Sequence, residues 1–214
     1  GLVAALNRGL SEAHGDLIAR LDADDLALPG RLANQAEAFD ADPAVVLTAC
    51  AYERAQPSGE VLRRPVPPLT HGALAMAAWS GNQLCHSAVM FRRSVVLELG
   101  GYRPEWYPVE DFDLWLRLLE AGRYRGTSFV GTRYSMSPQG ITQQNEQRQL
   151  SMVRSRAAEF TASLMVSGTP RTGGMRQRLR HLDETRIALH THLDAAGIPT
   201  EGVDAMAYRL AFEL

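Results

Sequence analysis

The chain has 214 residues, of which 45% are hydrophobic and 21% charged, and its formal net charge is −2. That balance excludes an intrinsically disordered chain and offers no basic surface for a nucleic acid. The length suits one large domain, or one domain with a small helical appendage.

Residues 2 to 13 place Leu2, Ala5, Leu6, Leu10 and Ala13 at helical spacing, and Gly15 ends that pattern. Asp16 to Leu21 reads as a short buried strand that runs into Asp22-Ala23-Asp24-Asp25. Pro29 suits the first turn of a helix over Arg31 to about Asp40, and Ala44 to Ala51 is an apolar, β-branched strand. Residues 55 to 69, rich in Pro, Gly and Arg, read as a loop. A short helix over His71 to Trp79, a strand over Ser87 to Phe91 and a helix over Ser94 to Leu99 follow, the last stopped by Gly100-Gly101. Glu110 to Ala121 has the pattern of an amphipathic helix, with Phe112, Trp115, Leu118 and Leu119 inward, and Tyr124 to Val130 is a weak strand. From about residue 145 long helical patterns take over, first Leu150, Val153, Ala157 and Phe160, then Leu179, Leu182, Leu189 and Leu193.

Alternating helices and short strands predict an α/β layer with a mostly parallel sheet, followed by a helical C-terminal region. The expected division is 1–145 and 146–214. In such sheets the ligand lies beyond the carboxyl ends of the strands. Cys50 and Cys85 form neither a zinc pattern nor a disulfide framework and are expected as buried free thiols in a reducing compartment. No apolar run approaches the ~18 to 20 residues that span a bilayer.

Two clusters of carboxylates stand out. Asp22, Asp24 and Asp25 crowd together at the first strand exit, where like charges raise one another's pKa unless a cation intervenes. A hard divalent ion, Mg²⁺ or Mn²⁺, fits that oxygen-rich set and leaves room for substrate phosphates. An acidic turn that merely leads into the next helix is the other reading. Glu110, Asp111 and Asp113 open a helix, where the macrodipole favours carboxylates. The dipole is expected to keep Asp111 ionised, as a general base requires.

These residues carry a resemblance. Leu21-Asp22-Ala23-Asp24-Asp25, then Pro29, Arg31-Leu32 and Gln35, resemble the Asp-x-Asp segment of the family 2 glycosyltransferases. Upstream, Ala5-Leu6-Asn7-x-Gly9 and Ala13-x-Gly15 are similar to the helix before it. Asn82, His86, Met90-Phe91-Arg92, Gly100-Gly101-Tyr102-Arg103 and Glu110 to Arg117 follow in the family's order. The resemblance covers roughly residues 1 to 145. It implies a GT-A fold, a Rossmann-like α/β sandwich, and an inverting transfer of sugar from a nucleotide-diphosphate donor to an acceptor hydroxyl. By the same resemblance Asp24 and Asp22 bind the metal, Mn²⁺ or Mg²⁺, and Asp22 also lies near the ribose. Asp25 stands on the substrate side. Asp111 is the general base, and Glu110 shapes the acceptor side. His86 matches an acceptor-side position or a structural histidine, and Trp106 is a candidate platform for an acceptor sugar. The acceptor is expected to be a saccharide or a lipid-linked saccharide of bacterial cell-envelope polysaccharide synthesis. The expected location is the cytoplasm, including contact with the inner membrane face.

Two departures accompany the resemblance. The family opens with a nucleotide-holding strand and a Pro-x-Tyr-Asn-like turn, whereas this chain begins at Gly1 on a helix. The chain is therefore expected to be a fragment that by itself binds donor poorly. At Tyr134-Ser135-Met136-Ser137-Pro138 serines stand where the family often has Tyr-Arg-x-His, and Arg133 is the neighbouring basic substitute. An inactive, transferase-like module that binds carbohydrate or protein is the alternative function. A nucleotidyltransferase ranks below it, since no glycine-rich phosphate loop is visible.

Overall fold

The structure of the protein is a computed structural model that describes residues 1–137 and 141–166, apart from the side chains of residues 79, 141–144 and 161–166. The helical patterns expected around Leu179 and Leu193 lie outside the described residues. Two compact units divide the chain, Gly1–Ala157 and Ala158–Leu214. The first carries the α/β layer and continues further along the chain than the expected change of character near residue 145.

Helix α1 (Leu2–Glu12) buries Val3 and Leu10. Strand β1 (Leu17–Ala19) leads through the acidic turn to a two-residue strand, β2 (Leu26–Ala27). Helix α2 (Arg31–Ala41) begins one residue after Pro29 and Gly30, so Pro29 precedes the helix instead of occupying its first turn. Gly30 makes the bend with φ +83°, a left-handed conformation natural to glycine. Strand β3 (Val45–Ala55) outruns its predicted end because Tyr52-Glu53-Arg54-Ala55 keeps the two-residue alternation, with Glu53 and Ala55 buried and Tyr52 and Arg54 on the opposite face. The predicted loop after it contains β4 (Val61–Arg63), which folds back on β3 through a turn closed by Gly59 N donating to Gln56 O at 2.8 Å. Helix α3 (His71–Ala77) starts at Thr70, whose hydroxyl accepts from Ala73 N at 3.2 Å. Strand β5 (Val89–Arg92) runs into α4 (Arg93–Glu98), which ends at Gly100-Gly101 as expected.

Helix α5 spans Glu110–Ala121, the predicted bounds, but it is not amphipathic in its surroundings. Every residue from Phe112 to Leu119 is buried, including Asp113 and Arg117. The polar side can be buried because Asp113 accepts from Arg103 Nε (2.9 Å), Arg117 Nε (3.0 Å) and Arg156 Nε (2.7 Å). Gly122 then lets the chain pass under β3, since a Cβ there would lie 2.5 Å from Val46 Cγ1. Strand β6 (Arg123–Ser135) and helix α6 (Ile141–Val166), the latter kinked at Asn145, complete the described chain.

The sheet order is β1-β5-β3-β6-β2, with β4 on β3. The expectation of a mostly parallel sheet is corrected: among the described residues β3–β6 is the one parallel pairing, and β1–β5, β3–β5, β2–β6 and β3–β4 are antiparallel. A parallel pair needs a crossover of a dozen or more residues, and only the long path through α3, α4 and α5 supplies it here. Antiparallel β5 inserts between β1 and β3, so β1, β3 and β6 still point the same way. Their carboxyl ends meet at one edge of the layer, and the acidic turn hangs from that edge.

Buried Arg31 and Gln35 of α2 lock that edge. Arg31 Nη2 donates to Arg20 O (2.8 Å) and Val89 O (3.0 Å), and Gln35 Nε2 donates to Ala88 O (3.0 Å). Carbonyls at the exit of β1 and the entry of β5 thus find partners inside the protein.

Candidate active site

A cavity of about 440 Å³ opens at the carboxyl ends of β1, β3 and β6. Asp22 lines it from the turn after β1, Tyr52 and Arg54 from β3, Tyr134 from β6, His86 and Ser87 from the segment before β5, and Glu110 and Asp111 from the start of α5. Gln149 and Val153 of α6 close part of the wall. The size falls in the range of small-molecule sites. Residues far apart in sequence meet here because the exit of β1 lies beside the entry of β5, and α5 begins close to both.

Asp22 is held in place. Arg20 makes a bidentate ion pair with its carboxylate, Ser87 Oγ donates to Asp22 Oδ2 at 3.1 Å, and Asp22 N donates to Ser87 Oγ at 3.0 Å. Bidentate guanidinium–carboxylate pairing fixes geometry as well as charge. Its side chain stays 39% exposed.

Across the cavity, Asp111 accepts from Asn82 Nδ2 at 2.8 Å and from Phe112 N at 2.7 Å. Asn82 is oriented in turn by Leu84 N, which donates to Asn82 Oδ1 at 3.2 Å. Burial raises the Asp111 pKa above the ordinary carboxylate value despite these donors. Glu110 is 4% exposed, and its Oε2 is buried without a hydrogen-bond partner among the described residues. Burial, with repulsion from Asp111, pushes its pKa up to about 7.

His86 Nε2 shares a hydrogen bond with Tyr102 Oη at 2.8 Å and stands edge-on to Trp115, ring centroids 5.6 Å apart. Burial lowers its pKa well below 6.5, which keeps the ring neutral. Tyr102 is positioned by Asn7, whose side chain both donates to Tyr102 O and accepts from Tyr102 N at 2.8 Å. Asn7 thereby acts on the cavity wall from α1 through Tyr102 and His86. The Cys85 thiol also lines the cavity, and burial pushes its pKa up to about 12, which makes it an unreactive wall group.

The other expected site residues are not among those lining this cavity. Asp24 is exposed on the acidic turn. Asp25 is 5% exposed, and Oδ1 accepts from Ser135 N at 2.8 Å, tying the turn to the end of β6. Burial raises its pKa, and Oδ2 is buried without a hydrogen-bond partner among the described residues. Arg133 pairs with Glu53, Nη2 to Oε2 at 2.8 Å, so its charge is already met. Trp106 carries the Arg156 guanidinium 5.6 Å from its ring centroid, which occupies one face of the supposed sugar platform. Conversely, Arg20, Arg54, Tyr52 and Tyr134 line the cavity but were not singled out from sequence. The alternation at the end of β3 was the available signal for Tyr52 and Arg54.

The acidic turn presents carboxylates of unequal availability to a cation. Asp22 has both carboxylate oxygens paired with Arg20, and Asp25 is turned inward, so exposed Asp24 is the readily available donor of the turn. A hard divalent ion that keeps several waters and takes phosphate oxygens needs only one or two protein carboxylates, so Asp24 would serve first and Asp22 second, by exchanging Arg20 for the ion. Among the described residues no group of three or more His, Cys, Asp or Glu side chains could enclose a metal.

Residues 1–100 match the family described as Glycosyl transferase family 2. The amylovoran biosynthesis glycosyltransferase AmsE of Erwinia amylovora is 36% identical over 123 residues, 57% of this chain and 45% of that protein. The putative glycosyltransferase EpsE of Bacillus subtilis is 34% identical over 137 residues, 63% of this chain and 48% of that protein. The chain thus spans about half the length of the curated relatives it matches. Two solved structures share the fold at low identity. The mannosyltransferase PcManGT from Pyrobaculum calidifontis, in complex with GDP-Man and Mn²⁺, superposes with TM-score 0.50 and 14% identity over all of this chain and 65% of its own. TarS 1–349 of S. aureus, in complex with UDP, gives TM-score 0.53 and 13% identity over all of this chain and 67% of its own. The α/β layer is of the GT-A type, and residues 1–100 carry the sequence pattern of glycosyl transferase family 2.

Proposed function

We propose that this protein transfers a sugar from a nucleotide-diphosphate donor to an acceptor hydroxyl with inversion at the anomeric carbon. The observation that carries the reading is the shared cavity of Asp22, at the exit of β1, and Asp111, at the start of α5. An acceptor alcohol is a poor nucleophile until a carboxylate takes its proton in the transition state. Asp111 suits that part: Asn82 orients it, and its raised pKa makes it a stronger base than an exposed aspartate. Neutral His86 and the partly protonated Glu110 supply hydrogen-bonding groups to the same wall without adding a full charge. Asp24 and Asp22 would hold a Mn²⁺ or Mg²⁺ ion, which neutralises the departing diphosphate when bound. The solved mannosyltransferase complex with GDP-Man and Mn²⁺ supports that choice of donor class and ion.

The acceptor side is read from relatives. AmsE is named for amylovoran biosynthesis. An Escherichia coli relative, 29% identical over 124 residues, is named a UDP-Gal:alpha-D-GlcNAc-diphosphoundecaprenol beta-1,3-galactosyltransferase. These names support a saccharide or lipid-linked acceptor in cell-envelope polysaccharide synthesis. Among the described residues no helix is long and apolar enough to cross a membrane. On this reading the protein works in the cytoplasm at the inner membrane face.

Donor turnover with Mn²⁺ and UDP- or GDP-sugars tests the proposal. Asp111→Asn should lower turnover by roughly 10²- to 10⁴-fold, the usual contribution of a general base, while leaving donor affinity nearly unchanged. Turnover that survives this substitution would sink the mechanism. A second reading, a non-catalytic module that binds carbohydrate or protein, is favoured by Ser135 at the end of β6 and by the commitment of Arg133 to Glu53. It requires the wild-type protein to bind a saccharide or protein ligand without turning over any donor.

A further inference from the structure

The cavity that holds Asp22, Glu110 and Asp111 must also accommodate a polyanion if the transferase reading is right. Its wall is rich in carboxylates, so the cations that reach it decide whether a diphosphate can enter. Arg133, the basic residue expected there, is bonded to Glu53. Arg64 donates to the other oxygen of the same Glu53 at 2.9 Å. Arg20 lines the cavity, but its charge is matched by Asp22.

Arg54 differs. It lines the cavity from the end of β3, in register with Tyr134 of β6. Its Nε is buried and has no hydrogen-bond partner among the described residues. Leaving a charged group's donor buried and unmatched is costly, so such a group calls for an explanation. Glu53 cannot supply one, because strand alternation turns it to the opposite face from Arg54. A planar guanidinium that lines a cavity and makes no ion pair with a described residue matches phosphate oxygens in geometry and charge.

We propose that Arg54 is a binding residue for a diphosphate group in this cavity, supplying from β3 the cation that was expected from Arg133 on β6. The assignment rests on the transferase reading and deepens it. A diphosphate could arrive on the nucleotide of the donor or on a lipid-linked acceptor, and both present the same charge and oxygens to the guanidinium.

The test is calorimetric titration of inorganic pyrophosphate into the full chain at low ionic strength, followed by competition. Arg54→Gln should weaken pyrophosphate binding by at least about tenfold, as expected for losing a charge-assisted pair. Arg54→Lys should fall between the two, keeping the charge and losing the fork. Arg8→Gln, at an exposed surface pair with Glu12, controls for the loss of one positive charge and should bind as the wild type does. Displacement of bound pyrophosphate by UDP or GDP assigns the group to the donor, and displacement by a soluble prenyl diphosphate assigns it to the acceptor; either outcome supports Arg54. Because no native bond is lost, the urea midpoint of Arg54→Gln should match or exceed that of the wild type, which separates weak binding from misfolding. An unchanged affinity in Arg54→Gln, or no pyrophosphate binding by the wild type, overturns the assignment. The transferase reading fails separately, if turnover survives Asp111→Asn while the Arg54 dependence stands.

Discussion

Glu110 shows how a single carboxyl can serve a site at some cost to the fold. Its pKa rises from the ordinary 4.5 to about 7, chiefly through burial. Between those values the folded protein holds a proton that the unfolded chain has released, so stability falls as pH rises through the window. Glu110→Gln removes the penalty. Above about pH 8 the variant should be more stable than the wild type by on the order of 3 kcal/mol, and the difference should vanish near pH 4. Urea midpoints at both pH values check this, and an equal gap at the two would refute burial as the cause. At this scale the sequence was legible where chemistry clusters: Asp22, Glu110, Asp111 and His86 do share a cavity. It was not legible where a partner decides the outcome. Arg133 and Asp25 looked available in the sequence, and only folding commits them to Glu53 and Ser135 N. Arg20 reads as an ordinary strand-end arginine until Asp22 is seen to fold back on it.

At the scale of elements, α5 is the clearest case of a pattern read correctly with its setting missed. Its bounds follow from the acidic first turn and from Gly122, both visible in the sequence. Its burial on the polar side does not, because that depends on guanidiniums from the turn after α4 and from α6. Burial alone would raise the Asp113 pKa, but the Arg103, Arg156 and Arg117 guanidiniums outweigh it and hold the carboxyl below 3.8. The stabilisation is therefore complete above the ordinary Asp pKa and is lost only as pH falls below it, the opposite sign to Glu110. Asp113→Ala should cost about 3 to 5 kcal/mol, since it leaves buried guanidiniums uncompensated. A urea midpoint little changed by the substitution would mean that solvent already screens the cluster. The short strands β2 and β4 escaped notice for a simpler reason. Each is too short for a hydrophobic period to show, and their pairings on β6 and β3 are set by the sheet rather than by their own residues.

At the scale of the molecule, the cavity is a junction and not a local motif. Its wall runs from Leu2 in α1 to Val153 in α6, so nearly the whole first compact unit must be in place before Asp22 and Asp111 face each other. The change of composition near residue 145 suggested that the α/β layer ends there, because helical periodicity reports local structure and says nothing about where a helix packs. Helix α6 contributes to the layer after that point: Gln149 Nε2 donates to Pro108 O at 3.0 Å, Val153 lines the cavity, and Arg156 reaches Asp113 at 2.7 Å. A chain ended at residue 146 would lose all of these and leave Asp113 with one guanidinium fewer. We expect such a chain to lose about 3 to 5 kcal/mol, the usual consequence of breaking a buried ion pair, and to bind pyrophosphate more weakly because its cavity wall is open. A chain ended at residue 166 retains every contact of the first unit described here and is the reference against which the urea midpoint of the shorter chain is read. If the shorter chain proved as stable as the longer one, α6 would be an appendage to the layer, and the cavity would have to be redrawn without its Gln149 and Val153 wall.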